Sequence, residues 1–406
     1  MRPHLPRPFL NLAWSNLAAQ SAEQLSLAAA PLVAVLALGA GPGEVGMLAA
    51  AQTLPFLLAS MPLGMLADRM PRRQLMLWAE GLRAFSLLAM LAALLSSALT
   101  IAWLALLGFL GAIGTVGFSV AAPALVPALV PRGSLALANS RLELARSAAF
   151  TAGPALAGSL VSWAGAATAF TLAAVLSTFA ILLLLRLLEP SRPASPARHP
   201  LVDVREGASF VWREPMLRPM LVTGVIFNLS WFVLQAAYVP YAARVLDMSA
   251  ETIGLTLAML GAGMVAGAML TSRVVAAMPF GRAIQVGPVV SVLAALAMAS
   301  TLLIPHAALA ALSFVLFGAG PMVWTITSTT LRQSVTAGPM LGRVSAVFLT
   351  ANAGARPLGA ALGGLVGSTY GESACLLVAL AGFAIQASVI LGSRVTSLRS
   401  LPVPAA

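Results

Sequence analysis

Apolar residues in this chain come in long runs, broken by charge, Gly or Pro. Six such runs, at about 10–38, 44–67, 74–97, 100–127, 136–163 and 165–188, precede a polar interruption; six more, at 217–243, 251–277, 283–304, 307–331, 342–367 and 371–393, follow it. Each is long enough, at 1.5 Å per residue, to cross about 30 Å of hydrocarbon. Backbone groups surrounded by lipid must be satisfied within their own segment, so the runs predict helices. The expected fold is an all-α membrane protein with twelve transmembrane helices in two six-helix bundles, residues 1–188 and 217–406.

The interruption, 189–216, is the one long polar segment. Its first part, "EPSRPASPARHP", is rich in Pro and reads as irregular. "LVDVREGASFVWREP" then places Leu201, Val204, Ala208 and Val211 on one helical face, with charges between them. That pattern predicts a short amphipathic helix lying on the cytoplasmic membrane surface.

The halves overlay in order. "NLAAQSAEQ" (16–24) sets against "NLSWFVLQA" (228–236), so that Asn16 matches Asn228 and Glu23 matches Gln235. Dropping four residues from the first outer loop aligns "VGML" (45–48) with "IGLT" (253–256) and "MPRR" (70–73) with "MPFG" (278–281). "GPALAG" (153–158) sets loosely against "RPLGAALGG" (356–364). Two parallel halves with a substrate path between them is a common transporter design.

Composition agrees: 60% of residues are hydrophobic and 9% charged, far from the roughly 25% charged residues of soluble domains. The net charge of +11 does not point to nucleic acid, because the charges sit in loops between spans and form no basic patch on a soluble domain. All 23 basic residues are Arg. A single Cys375 excludes a disulfide within the chain, and His4, His199 and His306 are widely spaced, so no metal or other cofactor is expected. The segment after the N-terminal "MRPHLPRP" is too long for a signal-peptide core and reads as the first span.

Arg placement orients the chain. With the N-terminus in the cytoplasm, 19 of the 23 arginines fall in the termini, the linker and the even-to-odd loops with their flanking span ends; Arg244 alone falls outside, and Arg83, Arg146 and Arg356 lie within spans. Both termini are therefore expected in the cytoplasm, in a multi-pass protein of the bacterial cytoplasmic membrane.

Ionisable groups inside spans are costly and default to functional candidates. Glu23 lies midway along span one, on a stripe with Asn16, Gln20 and Leu27. A carboxylate lining a cavity can bind a proton when desolvated and release it when water or a cation arrives, which makes Glu23 a coupling candidate. Glu143 and Arg146 share a face of span five at i,i+3 and form either a neutralising pair or a switch near the cytoplasmic entrance. Glu80 and Arg83 repeat that spacing and read as structural. Span seven presents Asn228, Trp231, Gln235 and Tyr238 on one face, a candidate cavity wall; Trp324, in "WTITSTT", opens a hydroxyl-rich stretch whose hydroxyls bond either a substrate or their own helix. Arg356, near Asn352, lies deep in span eleven and could face an anionic substrate or a carboxylate from another helix.

The loop "GMLADRMPRRQLM" (64–76) gathers Asp68, Arg69, Arg72 and Arg73 into six positions. With Gly64, these residues resemble the loop signature G-x-x-x-D-R-x-G-R-R of the major facilitator superfamily, Pro71 replacing the Gly. Gly153, Pro154 and Gly158 resemble the G-P-x-x-G-G signature of its exporters, with Ala157 replacing the first Gly of the final pair. "DVREGASFVWREPMLRPML" and "LGRVSAVF…PLGAALGG" look like the branch holding enterobactin and macrolide exporters. The fourth span lacks the Arg that many drug–proton antiporters carry there. The resemblance implies alternating access, a cytoplasmic gate at the charged loop and helix packing at Gly153-Pro154. Asp68 is expected to face the start of span eleven near Gly342 and Arg343, whose helix end is positively polarised.

Proton-coupled export of a small amphipathic compound, such as a siderophore or antibiotic, is the leading expectation. An importer of a nutrient or lipid is the alternative. A membrane enzyme would need clustered His, Asp or Glu, which the chain lacks, and no phosphate-binding loop is present to use ATP. The expected partners are a small molecule, protons and the bilayer; a monomer is a plausible working unit.

Overall fold

All twelve runs are helical. The computed structural model describes residues 6–131, 135–189, 200–336 and 338–400. The helices are α1 (Arg7–Leu36), α2 (Pro42–Leu58), α3 (Ser60–Arg69), α4 (Arg72–Leu95), α5 (Ile101–Leu129), α6 (Leu135–Ala164), α7 (Ala166–Leu185), α8 (Pro200–Arg213), α9 (Leu217–Arg244), α10 (Ala250–Ala277), α11 (Phe280–Ser300), α12 (Ala307–Val335), α13 (Gly338–Tyr370) and α14 (Glu372–Leu391). Among the described residues eight helices, α4, α5, α7, α9, α10, α11, α12 and α14, are long and apolar enough to cross a membrane by length and composition alone. The spans outside that set, the first, second, fifth and eleventh, include the one carrying Glu23 and those carrying the Glu143–Arg146 pair and Arg356.

One expectation needs correction. The second span is not one helix. It breaks at Ala59 into α2 and α3, because Pro62 has no N–H for the carbonyl of Leu58 and its ring crowds that carbonyl. The linker helix α8 forms, and one face of it packs on its own unit. Val211 is fully buried in a cluster with Met220, Phe280, Val344 and Phe348, and a Cβ at Gly207 would stand 2.7 Å from the Arg343 carbonyl of α13. Ala208, expected on the apolar face, is exposed. Of the expected face Val211 is buried, and the side chains of Leu201 and Val204 lie outside the described ones; Gly207, one turn before Val211, joins it at the contact.

The chain divides into two compact units: Met1–Ala40, Ala51–Ala197 and Ser249–Ala258 in the first, and Gly41–Ala50, Arg198–Met248 and Met259–Ala406 in the second. Their internal packing is equivalent. In the first unit α1 packs on α6 and α7, and α4 on α5 and α7; in the second α9 packs on α13 and α14, and α11 on α12 and α14. The first has a core of Phe9, Leu12, Met76, Phe118, Leu125 and Leu184. Span ends repeat too: α6 passes to α7 through Gly165 and α13 to α14 through Gly371, each with φ +83°, a conformation that glycine adopts without a Cβ penalty.

Each unit also contains a glycine crossing made by a segment from the other half of the sequence. In the first, a Cβ on Gly254 would lie 2.8 Å from Gly158 Cα. In the second, a Cβ on Gly46 would lie 2.4 Å from Gly364 Cα. The overlay pairs Gly46 with Gly254, and Gly158 and Gly364 each stand seven residues before the equivalent turn glycines Gly165 and Gly371, so the two crossings are the same contact repeated. Neither tolerates a side chain at that separation.

Candidate functional site

In the first unit α5 approaches α4 closely because Gly114 presents no side chain; a Cβ there would stand 2.3 Å from the Ala79 carbonyl. That approach brings Thr115 to Arg83. The Arg83 guanidinium is buried, at 4% exposure, and the Glu80 carboxylate is fully buried beside it, 2.5 Å from Nη1. Nη1 also donates to the Ala19 carbonyl at 3.1 Å and Nη2 to Thr115 Oγ1 at 2.9 Å. Ser177 Oγ donates to the second oxygen of Glu80 at 2.7 Å. Arg83 thus joins α1, α4 and α5, and Glu80 adds α7. Buried charge survives when it is paired and hydrogen-bonded in this way.

Glu23 stands on α1 at the edge of this network, 15% exposed, with Oε2 4.0 Å from Arg83 Nη2. Glu23, Arg83, Thr115, Gln52, Phe56 and Ser86 are among the residues lining a small cleft of about 40 Å³, room for a few waters or one functional group of a larger molecule. Glu23 and Arg83 face the cleft, while Glu80, fully buried and not part of the lining, pairs with the same guanidinium at contact distance. Glu80 and Arg83, whose i,i+3 spacing reads as structural, form a buried hydrogen-bonded pair; the convergence of Glu23 with them is a tertiary fact.

Other candidates are dispersed. Asn16, on the same stripe, is buried, and its Nδ2 donates to the Leu142 carbonyl of α6 at 3.3 Å; it is a helix–helix anchor here. Gln20 is half-buried. Glu143 and Arg146 pair through Nε at 3.0 Å, on an exposed part of α6, with Arg146 over the Phe150 ring. Gly153 packs against Gln24 of α1, and Pro154 and Gly158 against Gly254.

At the charged loop, Arg72 and Arg73 have specific partners. Their backbone N–H groups at the start of α4 donate to the two oxygens of Glu189, at 3.1 and 2.8 Å. The Arg73 side chain donates to the carbonyls of Leu184 and Leu185 at the end of α7, each at 2.8 Å, and Arg72 Nη1 donates to the Ala124 carbonyl of α5. Cations on carbonyls near a helix C-terminus, and a carboxylate on helix N-terminal amides, both follow the helix dipole. Gly64 borders open space. The side chains of Asp68 and Arg69 lie outside the described ones, as does Gly342; Arg343 pairs with Glu206 of α8.

In the second unit Arg356 Nε donates to Asn228 Oδ1 at 3.2 Å, and Asn228 Nδ2 to the Gly224 carbonyl at 2.9 Å. The side chain of Asn352 packs against Gly224. Trp231 belongs to an aromatic cluster, 5.0 Å from Phe317 and stacked on Phe227. Gln235, one helical turn further on, is half-buried, but Tyr238 is fully buried against Phe314, so Tyr238 belongs to the core and not to an open wall. Trp324 packs on Gly287, and the hydroxyls of Thr325, Thr327 and Thr330 bond their own helix carbonyls.

Comparison with known proteins places this arrangement. The sequence profile of the Major Facilitator Superfamily matches residues 12–360. The chain is 28% identical over 308 residues to the Enterobactin exporter EntS of Citrobacter koseri, covering 75% of this chain and 72% of that one. It is 29% identical over 276 residues to an MFS-type transporter of Sinorhizobium fredii, covering 65% of this chain and 66% of that one. In fold it is similar to a bacterial homologue of the iron transporter ferroportin in its inward-facing state, with TM-score 0.76 at 17% identity over 96% of this chain and 99% of that one. The nucleoside transporter NupG is similar too, with TM-score 0.75 at 11% identity over 95% and 97%. With two repeated helical units and a profile match over most of its length, this chain is a multi-pass membrane transporter, not an enzyme, and belongs to the Major Facilitator Superfamily.

Proposed function

We propose that this chain exports a small amphipathic compound, such as a siderophore or antibiotic, across the bacterial cytoplasmic membrane in exchange for protons, by alternating access. The observation that carries the reading is Glu23: a partly exposed carboxylate 4.0 Å from an arginine whose charge Glu80 already matches. Ionising Glu23 adds a negative charge beside Arg83, and protonating it removes that charge. Such a group can take up a proton from one side and release it to the other as access changes. The similarity to an enterobactin exporter and the Gly153-Pro154-x-x-x-Gly158 pattern support the outward direction.

Arg placement puts both termini, the charged loop and α8 in the cytoplasm. The loop residues Gly64, Asp68, Arg69, Arg72 and Arg73 then serve the cytoplasmic gate, and the two glycine crossings hold helix ends on the outer side. Asn228, Trp231, Asn352 and Arg356 supply the substrate-facing wall of the second unit, with Glu143 and Arg146 near the entrance.

Transport in inverted membrane vesicles with an imposed pH gradient tests this. Substrate uptake should follow an inside-acid gradient, and Glu23→Gln should abolish the gradient-driven part while leaving the protein folded. Unchanged gradient-driven transport by that variant would remove Glu23 from coupling. Accumulation that follows the opposite gradient would make the protein an importer.

A further inference from the structure

The junction of α8 and α9 holds a second arrangement of charged and aromatic side chains, unrelated to the cleft. Gly207 and Val211 clamp α8 onto its own unit. That clamp sets the rotation of the helix and turns the next residue, Trp212, away from the core, where it is 59% exposed. The Arg218 guanidinium lies 4.6 Å from the centre of the Trp212 ring. Arg213 and Arg218 are both exposed. Among the described residues neither enters an ion pair, whereas nearby Glu206 is taken by Arg343. Glu214 is the one acid between them.

The location narrows what these groups meet. α9 starts at Leu217 and is one of the apolar helices long enough to cross a membrane. Trp212 and Arg218 therefore flank the point where the chain enters the bilayer. Trp is at home at the boundary between headgroups and hydrocarbon. Stacking uses the flat face of a guanidinium and leaves its N–H edges in plane, free for the paired oxygens of a phosphate. The stacked Arg218, with exposed Arg213 next to Trp212 in the chain, matches a phosphodiester carrying net negative charge.

We propose that Trp212, Arg213 and Arg218 form a binding site for the headgroup of an anionic phospholipid. The indole seats at the glycerol level and the two guanidinium groups hold the phosphate. The preference for an anionic over a zwitterionic headgroup is about fivefold for each arginine near the surface.

The test uses the full-length protein in vesicles of zwitterionic phosphatidylcholine, with a fixed fraction of brominated lipid bearing either a phosphatidylglycerol or a phosphatidylcholine headgroup. Subtracting the emission of Trp212→Phe isolates Trp212. Brominated phosphatidylglycerol should quench that component at least about threefold more than brominated phosphatidylcholine, and Arg213→Gln with Arg218→Gln should bring the ratio to about 1. The double variant is checked for folding by size-exclusion chromatography, and Arg213→Lys with Arg218→Lys, which keeps the charge, should retain a ratio above 1. A ratio of about 1 in the unmodified protein, or one that survives loss of both charges, overturns the proposal. So does an equal response of Trp212 to excess inorganic phosphate without anionic lipid, which would make the site one for free anions. None of these readouts depends on transport, so the outcome is separate from the export reading.

Discussion

Arg83 makes the strongest claim at the scale of single residues. Its guanidinium is hydrogen-bonded to Glu80, Thr115 and the Ala19 carbonyl in a buried setting. Removing it strands the fully buried Glu80 carboxylate. Arg83→Gln should therefore cost about 3–5 kcal/mol of stability, read as a large fall in thermal midpoint in detergent. Removing both charges, in Glu80→Gln with Arg83→Gln, should restore part of that loss, because no uncompensated charge remains buried. If the double variant is as unstable as the sum of the singles, the pair is not coupled. Asn16 gives the contrasting case. It spends its amide on the Leu142 carbonyl, so Asn16→Val should lower stability by about 0.5–1.5 kcal/mol and leave the KM for substrate unchanged. A large KM change would return Asn16 to the substrate wall.

Individual helices are placed by their ends and by their smallest residues. Glu189 closes the start of α4 through two backbone amides. Glu189→Ala should lower stability by about 1 kcal/mol, seen as a modest drop in thermal midpoint, with Glu189→Gln losing less because it still accepts a hydrogen bond. At the glycine crossings the backbones are too close for any side chain. Gly254→Val or Gly46→Val should force the crossing helices apart. If the crossings close one side of the transport cycle, either variant should raise reactivity of cysteines introduced nearby toward a membrane-impermeant maleimide. No change in reactivity would make the crossings passive packing.

For the whole molecule, topology is the property most open to a direct measurement. Cys375 is buried, so a cysteine added at either end of the chain can be labelled selectively. Both ends should react with an impermeant maleimide in inverted vesicles and stay protected in intact cells. Labelling in intact cells would invert the orientation and move the charged loop to the outer side. The equivalent packing within the two units, α1 with α6 and α7 against α9 with α13 and α14, is the structural form of a repeat that the sequence shows only as scattered short matches.

The sequence by itself determined the twelve helices, the amphipathic linker and the repeat, because lipid imposes helix on any long apolar segment and a span length can be counted. It also exposed Glu23, Arg83 and Glu80 as costly charges within spans. Which helix face meets which neighbour depends on close approach at a few glycines and on the local path of the backbone, and apolar periodicity is weak in helices apolar on nearly every side. Hence only the tertiary structure joined Glu23 to Arg83 and Thr115, withdrew Asn16 and Tyr238 into packing, broke the second span ahead of Pro62, and turned α8 onto the protein through Gly207 and Val211.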